Sequence, residues 1–126
     1  MSVHNGNPDW RTRETFDKYL AARAEPMPEG YCPLCEAPSI KEFTYWRIID
    51  NKFPYDRVAD IHHQLVPKRH VTFDNVSQEE KEEMENLITG DLNSTYAMCA
   101  LALPNTQSIP SHVHYHLMVL KPFSED

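Results

Sequence analysis

The chain has 126 residues, 40% of them apolar and 25% charged, and its 12 basic and 19 acidic residues give a formal net charge of −7. This is one domain's worth of protein with one modest core. No run approaches the roughly 20 apolar residues of a membrane helix, and broad binding to a nucleic-acid backbone is disfavoured because it needs clustered positive charge. The segment MSVHNGNPDW has no apolar stretch to serve as a signal, so the expectation is a cytoplasmic protein. Only three glycines occur, and neither G-x-x-x-x-G-K-[ST] nor G-x-G-x-x-G is present, so phosphate chemistry would have to come from side chains.

Residues from Asn7 or Asp9 to about Ala24 read as a helix with Trp10, Phe16, Tyr19 and Leu20 as its apolar stripe. EPMPEG, residues 25–30, breaks it. Residues 1–30 are therefore expected to form a helical arm and linker, and residues 31–126 the main domain. Phe43–Ile49 is aromatic and β-branched and predicts a strand, and DNKFPYD predicts a turn. Asp60–Val66 predicts a second strand, ended by Pro67. Ser77 and Glu80 form a capping-box pattern. The helix it opens is expected to run to between Asn93 and Tyr96, burying Met84, Leu87, Ile88 and Leu92, with Gly90 in its interior. Strands are expected from about Met98 to Leu103 and over His112–Leu120. The order α, β-β, α, β-β predicts an α+β fold with an antiparallel sheet.

Two constellations carry chemistry. In HVHYHLM, from His112 to Met118, strand alternation puts His112, His114 and His116 on one face, about 7 Å apart at each step. Imidazole is a nucleophile, an acid–base group and a metal ligand that titrates near neutral pH. The plain alternative is a solvent-facing strand with incidental histidines. The second constellation is Cys32-Pro-Leu-Cys35, whose two thiolates can grip one divalent metal that two further ligands would complete. A redox pair is the alternative, although the βαβ setting of such a pair is not evident. Cys99 is expected to be a buried apolar thiol.

The pattern His-φ-His-φ-His-φ-φ, with φ apolar, resembles the signature of the histidine triad (HIT) superfamily of nucleotide hydrolases and transferases. DNKFPYD and IHHQLVPKRHV resemble the family's N-x-F-P-Y-N and G-H-L-L-V-x-P-K-R-H-V segments, and the likeness covers about residues 31–121. It implies a HIT-like antiparallel sheet with a long packed helix, here preceded by the N-terminal arm. It implies His114 as the nucleophile at an α-phosphorus, with a backbone carbonyl on its other nitrogen, and His116 near the leaving group. Gln107 and Ser108 would donate to phosphate oxygens, with Ser111 as a substitute. Asn51, with Asp50 as competitor, would bind a ribose, and Asn105 would lie near the phosphate. Phe43, Tyr45 or Trp46 would either wall a base or pack in the core. His62 would make a structural hydrogen bond, and His63 would face the other way.

A C-x-x-C subset of the family implies structural Zn²⁺ held by Cys32, Cys35, His70 and His112. The implied partners are a nucleotide substrate, a dinucleoside polyphosphate or nucleoside phosphoramidate, and a second copy in a homodimer. Two rival readings stand beside the hydrolase. One is a nucleotidyltransferase like the galactose-1-phosphate uridylyltransferase branch, whose third triad position is usually Gln rather than His116. The other is a non-catalytic module binding zinc and a nucleotide. The chain departs from the pattern at Asp56–His62, a longer glycine-free loop in place of P-G-H, and between Asn105 and Gln107, where glycines are missing. The enzymatic reading expects the His114 ring to be uncharged, on the side of its neighbours, and open to solvent at a sheet edge or cleft.

Overall fold

A computed structural model describes residues 10–122; the expected helix start at Asn7 or Asp9 lies outside the described residues. The elements are α1 (Arg13–Ala24), α2 (Pro33–Glu36), β1 (Ser39–Glu42), β2 (Trp46–Asp50), β3 (Ala59–Pro67), α3 (Gln78–Thr89), α4 (Asp91–Thr95), β4 (Met98–Ala100) and β5 (Tyr115–Leu120). Five strands form one sheet in the order β1-β2-β3-β5-β4, and every pairing is antiparallel. Among the described residues, no helix is long and apolar enough to cross a membrane.

Register divides the sheet into two faces. Ile48 pairs with Leu65, which pairs with Tyr115, and His63 pairs with Leu117. With Trp46, these residues lie on the face covered by α3 and α4, where Trp46, Leu65 and Leu117 are fully buried with Leu87 and Leu92. The Trp46 indole N–H donates to the Glu80 carbonyl at 2.8 Å. The opposite face carries Ile49 and Val66, packed with Cys32 and Leu34, and His62, His116 and Met118. Chemistry is thus confined to the face away from the long helix.

Several expected boundaries move, each for a local reason. The aromatic run does not start a strand: Phe43 N–H donates to the Trp46 carbonyl at 2.8 Å, closing a turn. Glu83 of α3 accepts from the Tyr45 and Trp46 N–H groups, fixing that turn. The strand before it, β1, is exposed throughout and has no apolar alternation to announce it. Ser77 and Glu80 form the expected capping box. The helix does not run unbroken to Tyr96, because Gly90, at φ −114° and ψ −107°, ends α3 and starts α4. A Cβ there would lie 3.1 Å from the Asn86 carbonyl. Of the stripe expected on α1, Tyr19 is buried while Trp10 and Leu20 are exposed. Cys99 is also exposed, on the three-residue edge strand β4.

Candidate active site and metal centre

The final strand begins at Tyr115, not His112. Residues 112–114 leave the ladder because other partners take their backbone groups: His112 N–H donates to Ile109 and Val113 N–H to Val71. This carries His112 toward the Cys32–Cys35 turn. The ligand atoms of Cys32, Cys35, His70 and His112 all lie within 4.8 Å of one another. Cys35 Sγ is 3.3 Å from His70 Nδ1 and 3.4 Å from His112 Nδ1, and Cys32 Sγ is 3.6 Å from His112 Nδ1. A tetrahedral ion with ordinary Zn–S and Zn–N bonds sets S and N about 3.6 Å apart, so the four side chains fit one metal ion. His112 Nε2–H donates to the Pro67 carbonyl at 3.0 Å, which leaves the lone pair on the Nδ1 that faces the thiols. Burial and the neighbouring Cys32 push the Cys35 thiol up to about 11, so a cation arriving here must displace protons.

Arg47 of β2 holds this turn from below. Its guanidinium donates to the carbonyls of Leu34, Cys35 and Ala37 and to Ser39 Oγ. The sequence reading missed it, because a single arginine inside an aliphatic strand has no periodic signature.

The second group is a chain of imidazoles. Tyr55 N–H donates to His62 Nδ1 at 2.9 Å, so a neutral His62 carries its proton on Nε2. That Nε2–H meets His116 Nδ1 at 2.8 Å, which puts the proton of His116 on its own Nε2. Burial, then the positive field of neighbouring groups, holds His62 down at about 3 and His116 at about 4, so both are neutral near pH 7. His114 Nδ1–H donates to the His112 carbonyl at 3.0 Å, and burial lowers its pKa as well. The rings of His114 and His116 are 5.7 Å apart and nearly perpendicular. The outcome is one lone pair without a partner among the described residues, on His114 Nε2, in a ring beside that of His116, whose Nε2 carries the remaining donor proton.

His114 lies on the expected side, but it is only 3% exposed rather than open to solvent. Arg11 Nη1 is the one side-chain nitrogen or oxygen among the described residues that is both sealed and unpartnered.

The other expected site residues are placed unevenly. Asn51 lies on the site face, with Nδ2 3.3 Å from His62 Nε2, while its Oδ1 accepts from Phe53 N–H at 2.9 Å as a turn former. Gln107 is buried, and its amide donates to the Ala102 carbonyl at 2.8 Å. Asn105 is exposed on a short 3₁₀ turn, and Ser108 is half-buried just beyond it. Phe43 and Trp46 pack under α3, and Tyr45 is tied to Glu83, so none of the three walls a base on the triad face. His62 makes the structural bonds expected of it, and His63 turns to the helix face, where Nδ1 meets Tyr96 Oη at 2.6 Å.

Solved structures share this fold. A hypothetical protein from Leishmania major matches with a TM-score of 0.57 at 16% identity, over 78% of each chain. A histidine triad protein from Clostridium difficile matches with a TM-score of 0.52 at 15% identity, over 79% of this chain and 98% of that one. A HIT family hydrolase from Legionella pneumophila matches with a TM-score of 0.50 at 19% identity, over 75% of this chain and 97% of that one. The fold is that of histidine triad proteins. No family model and no curated protein sequence matches the chain.

Proposed function

We propose that the chain is a nucleotide hydrolase or transferase that works at the α-phosphorus of a dinucleoside polyphosphate or a nucleoside phosphoramidate, through a covalent nucleotidyl-histidine at His114. One observation carries this reading: a neutral imidazole whose Nδ1–H is held by the His112 carbonyl while its Nε2 has no partner among the described residues. Such a ring is a nucleophile already in the required tautomer. Its lone pair attacks phosphorus, and the bond from phosphorus to the leaving group breaks. A phosphate leaving group departs as an anion and needs no proton, whereas the nitrogen of a phosphoramidate takes a proton from solvent and departs as the neutral amine. His116 Nε2–H donates to the oxygen on which charge develops, and the His112 carbonyl stabilises the cationic nucleotidyl-imidazolium. Water or another acceptor then attacks, the P–N bond breaks, its electron pair returns to His114, and the acceptor's proton leaves to solvent.

In the same reading Cys32, Cys35, His70 and His112 hold Zn²⁺, which when bound locks the cysteine turn to the segment before β5. His112 links the two groups: its ring belongs to the metal set and its carbonyl orients the nucleophile. The 3% exposure of His114 favours a second reading, a module that binds nucleotide without turnover. Release of mononucleotide from diadenosine polyphosphate and from adenosine phosphoramidate separates the two. The enzyme reading expects His114→Ala to lower that rate by more than about 1,000-fold with metal content unchanged. Tight nucleotide binding with no release by the unaltered protein would select the module.

A further inference from the structure

We propose that Arg11, delivered by the N-terminal arm, forms an anion subsite one ring away from His116 that takes the leaving-group phosphate of the substrate. The arm is docked onto the site loop. Thr12 caps α1 and is itself held by Asp56, which accepts from Thr12 N–H at 2.8 Å, from Thr12 Oγ1 at 3.1 Å and from Thr15 Oγ1 at 2.6 Å. Arg57 N–H donates to the Trp10 carbonyl at 3.0 Å. Asp56 and Arg57 thus act as the receptor for the arm; the glycine-free loop expected over Asp56–His62 is shorter than that, because β3 already begins at Ala59.

Docking places Arg11 inside, only 5% exposed. Its guanidinium carbon lies 4.3 Å from the Tyr19 ring centre and 4.7 Å from that of Tyr55. Its Nε–H donates to the Phe53 carbonyl at 2.7 Å. Tyr55 stacks on His116 at 5.3 Å, so the guanidinium is separated from the triad by one ring.

Nη1 has no partner, which makes it an exception among the described residues. A buried guanidinium left partly unpaired is costly, and such groups are ordinarily matched by a carboxylate or phosphate. Asp56, whose charge reaches Arg11, already has its oxygens occupied by Thr12 and Thr15. The free N–H groups therefore await an anion from outside, and a planar guanidinium suits phosphate oxygens. Because the ring that carries the guanidinium, Tyr55, stacks on His116, the subsite is assigned to the phosphate that departs past His116 rather than to the one that His114 attacks. This rests on the catalytic reading above for the identity of the anion, though not for its binding.

Calorimetric titration of the unaltered protein, Arg11→Gln and Arg11→Lys with adenosine mono- and diphosphate tests the subsite, with intact-mass detection of a His114 adduct run in parallel. The unaltered protein is expected to prefer the diphosphate. Arg11→Gln should lose about 10- to 100-fold in diphosphate affinity while its monophosphate affinity changes less than about threefold. Arg11→Lys keeps the charge but not the fork and should fall between; it carries the test if Arg11→Gln does not fold. Equal losses for both ligands would make Arg11 a structural clamp and overturn the subsite, as would an unchanged preference or no preference in the unaltered protein. An adduct with no Arg11 effect would overturn the subsite alone. An Arg11-dependent preference with no adduct would overturn the catalytic reading alone.

Discussion

Two groups of histidines on the same face use one residue type in opposite ways. At the cysteine turn, Nδ1 atoms of His70 and His112 converge with two sulfurs on a common point, and the far nitrogen of His112 is tied to Pro67. Along β3 and β5, His62, His116 and His114 do not converge. Each ring nitrogen that is tied bonds a different group, Tyr55 N–H, the facing imidazole or the His112 carbonyl, leaving one lone pair and one N–H. The ring chemistry is the same in both; what holds the second nitrogen decides whether an imidazole is a ligand, a nucleophile or a donor. His112 sits at the junction, with its ring in the first group and its carbonyl in the second.

The largest way to break this contrast is at the metal set. Cys32→Ser is expected to abolish stoichiometric metal, measured by elemental analysis, and to lower unfolding stability by about 5 kcal/mol. It should also slow turnover, because the His112 carbonyl loses its anchor. An unchanged stability with metal lost would separate the two groups.

Acid should act next, and on the imidazole chain. His62 is held at about 3 and His116 at about 4, against about 6.5 when unfolded. Between these values the unfolded chain binds protons that the folded chain refuses, so stability is full above pH 6.5 and falls as pH drops toward 4. The expected loss from pH 7 to pH 5 is about 2 kcal/mol per histidine, read by denaturant titration. His62→Gln should flatten that slope. The carboxylates of Asp56 and Glu80, whose hydrogen bonds hold them below their usual range, act only at lower pH.

The smallest effect is a control remote from both groups. Ser77→Ala removes the cap of α3 and should cost about 1 kcal/mol while metal content and turnover stay unchanged, checked by thermal unfolding and assay.

What could be read from the residues follows the same division. The cap at Ser77 and Glu80, the alternation through β3 and β5, and the C-x-x-C spacing are short-range patterns, and the structure follows them. The exposed β1 carries no alternation, and Gly90 marked the helix break only as a weak point in its interior. His112 and His114 depart from the strand that their spacing predicts, because Ile109 and Val71 claim the backbone there. Arg11 and Arg47 were invisible for a different reason. Arg11 bonds a carbonyl 42 residues away, and Arg47 bonds carbonyls 10 to 13 residues back, at distances that no local pattern encodes.

The most direct test is intact-mass spectrometry of the metal-loaded protein mixed with adenosine phosphoramidate and quenched within a turnover. The account predicts an added adenylyl mass, acid-labile as a P–N bond is, that is absent from His114→Ala and present in Ser77→Ala. An adduct that survives His114→Ala, or release of mononucleotide that does not depend on His114, would contradict it.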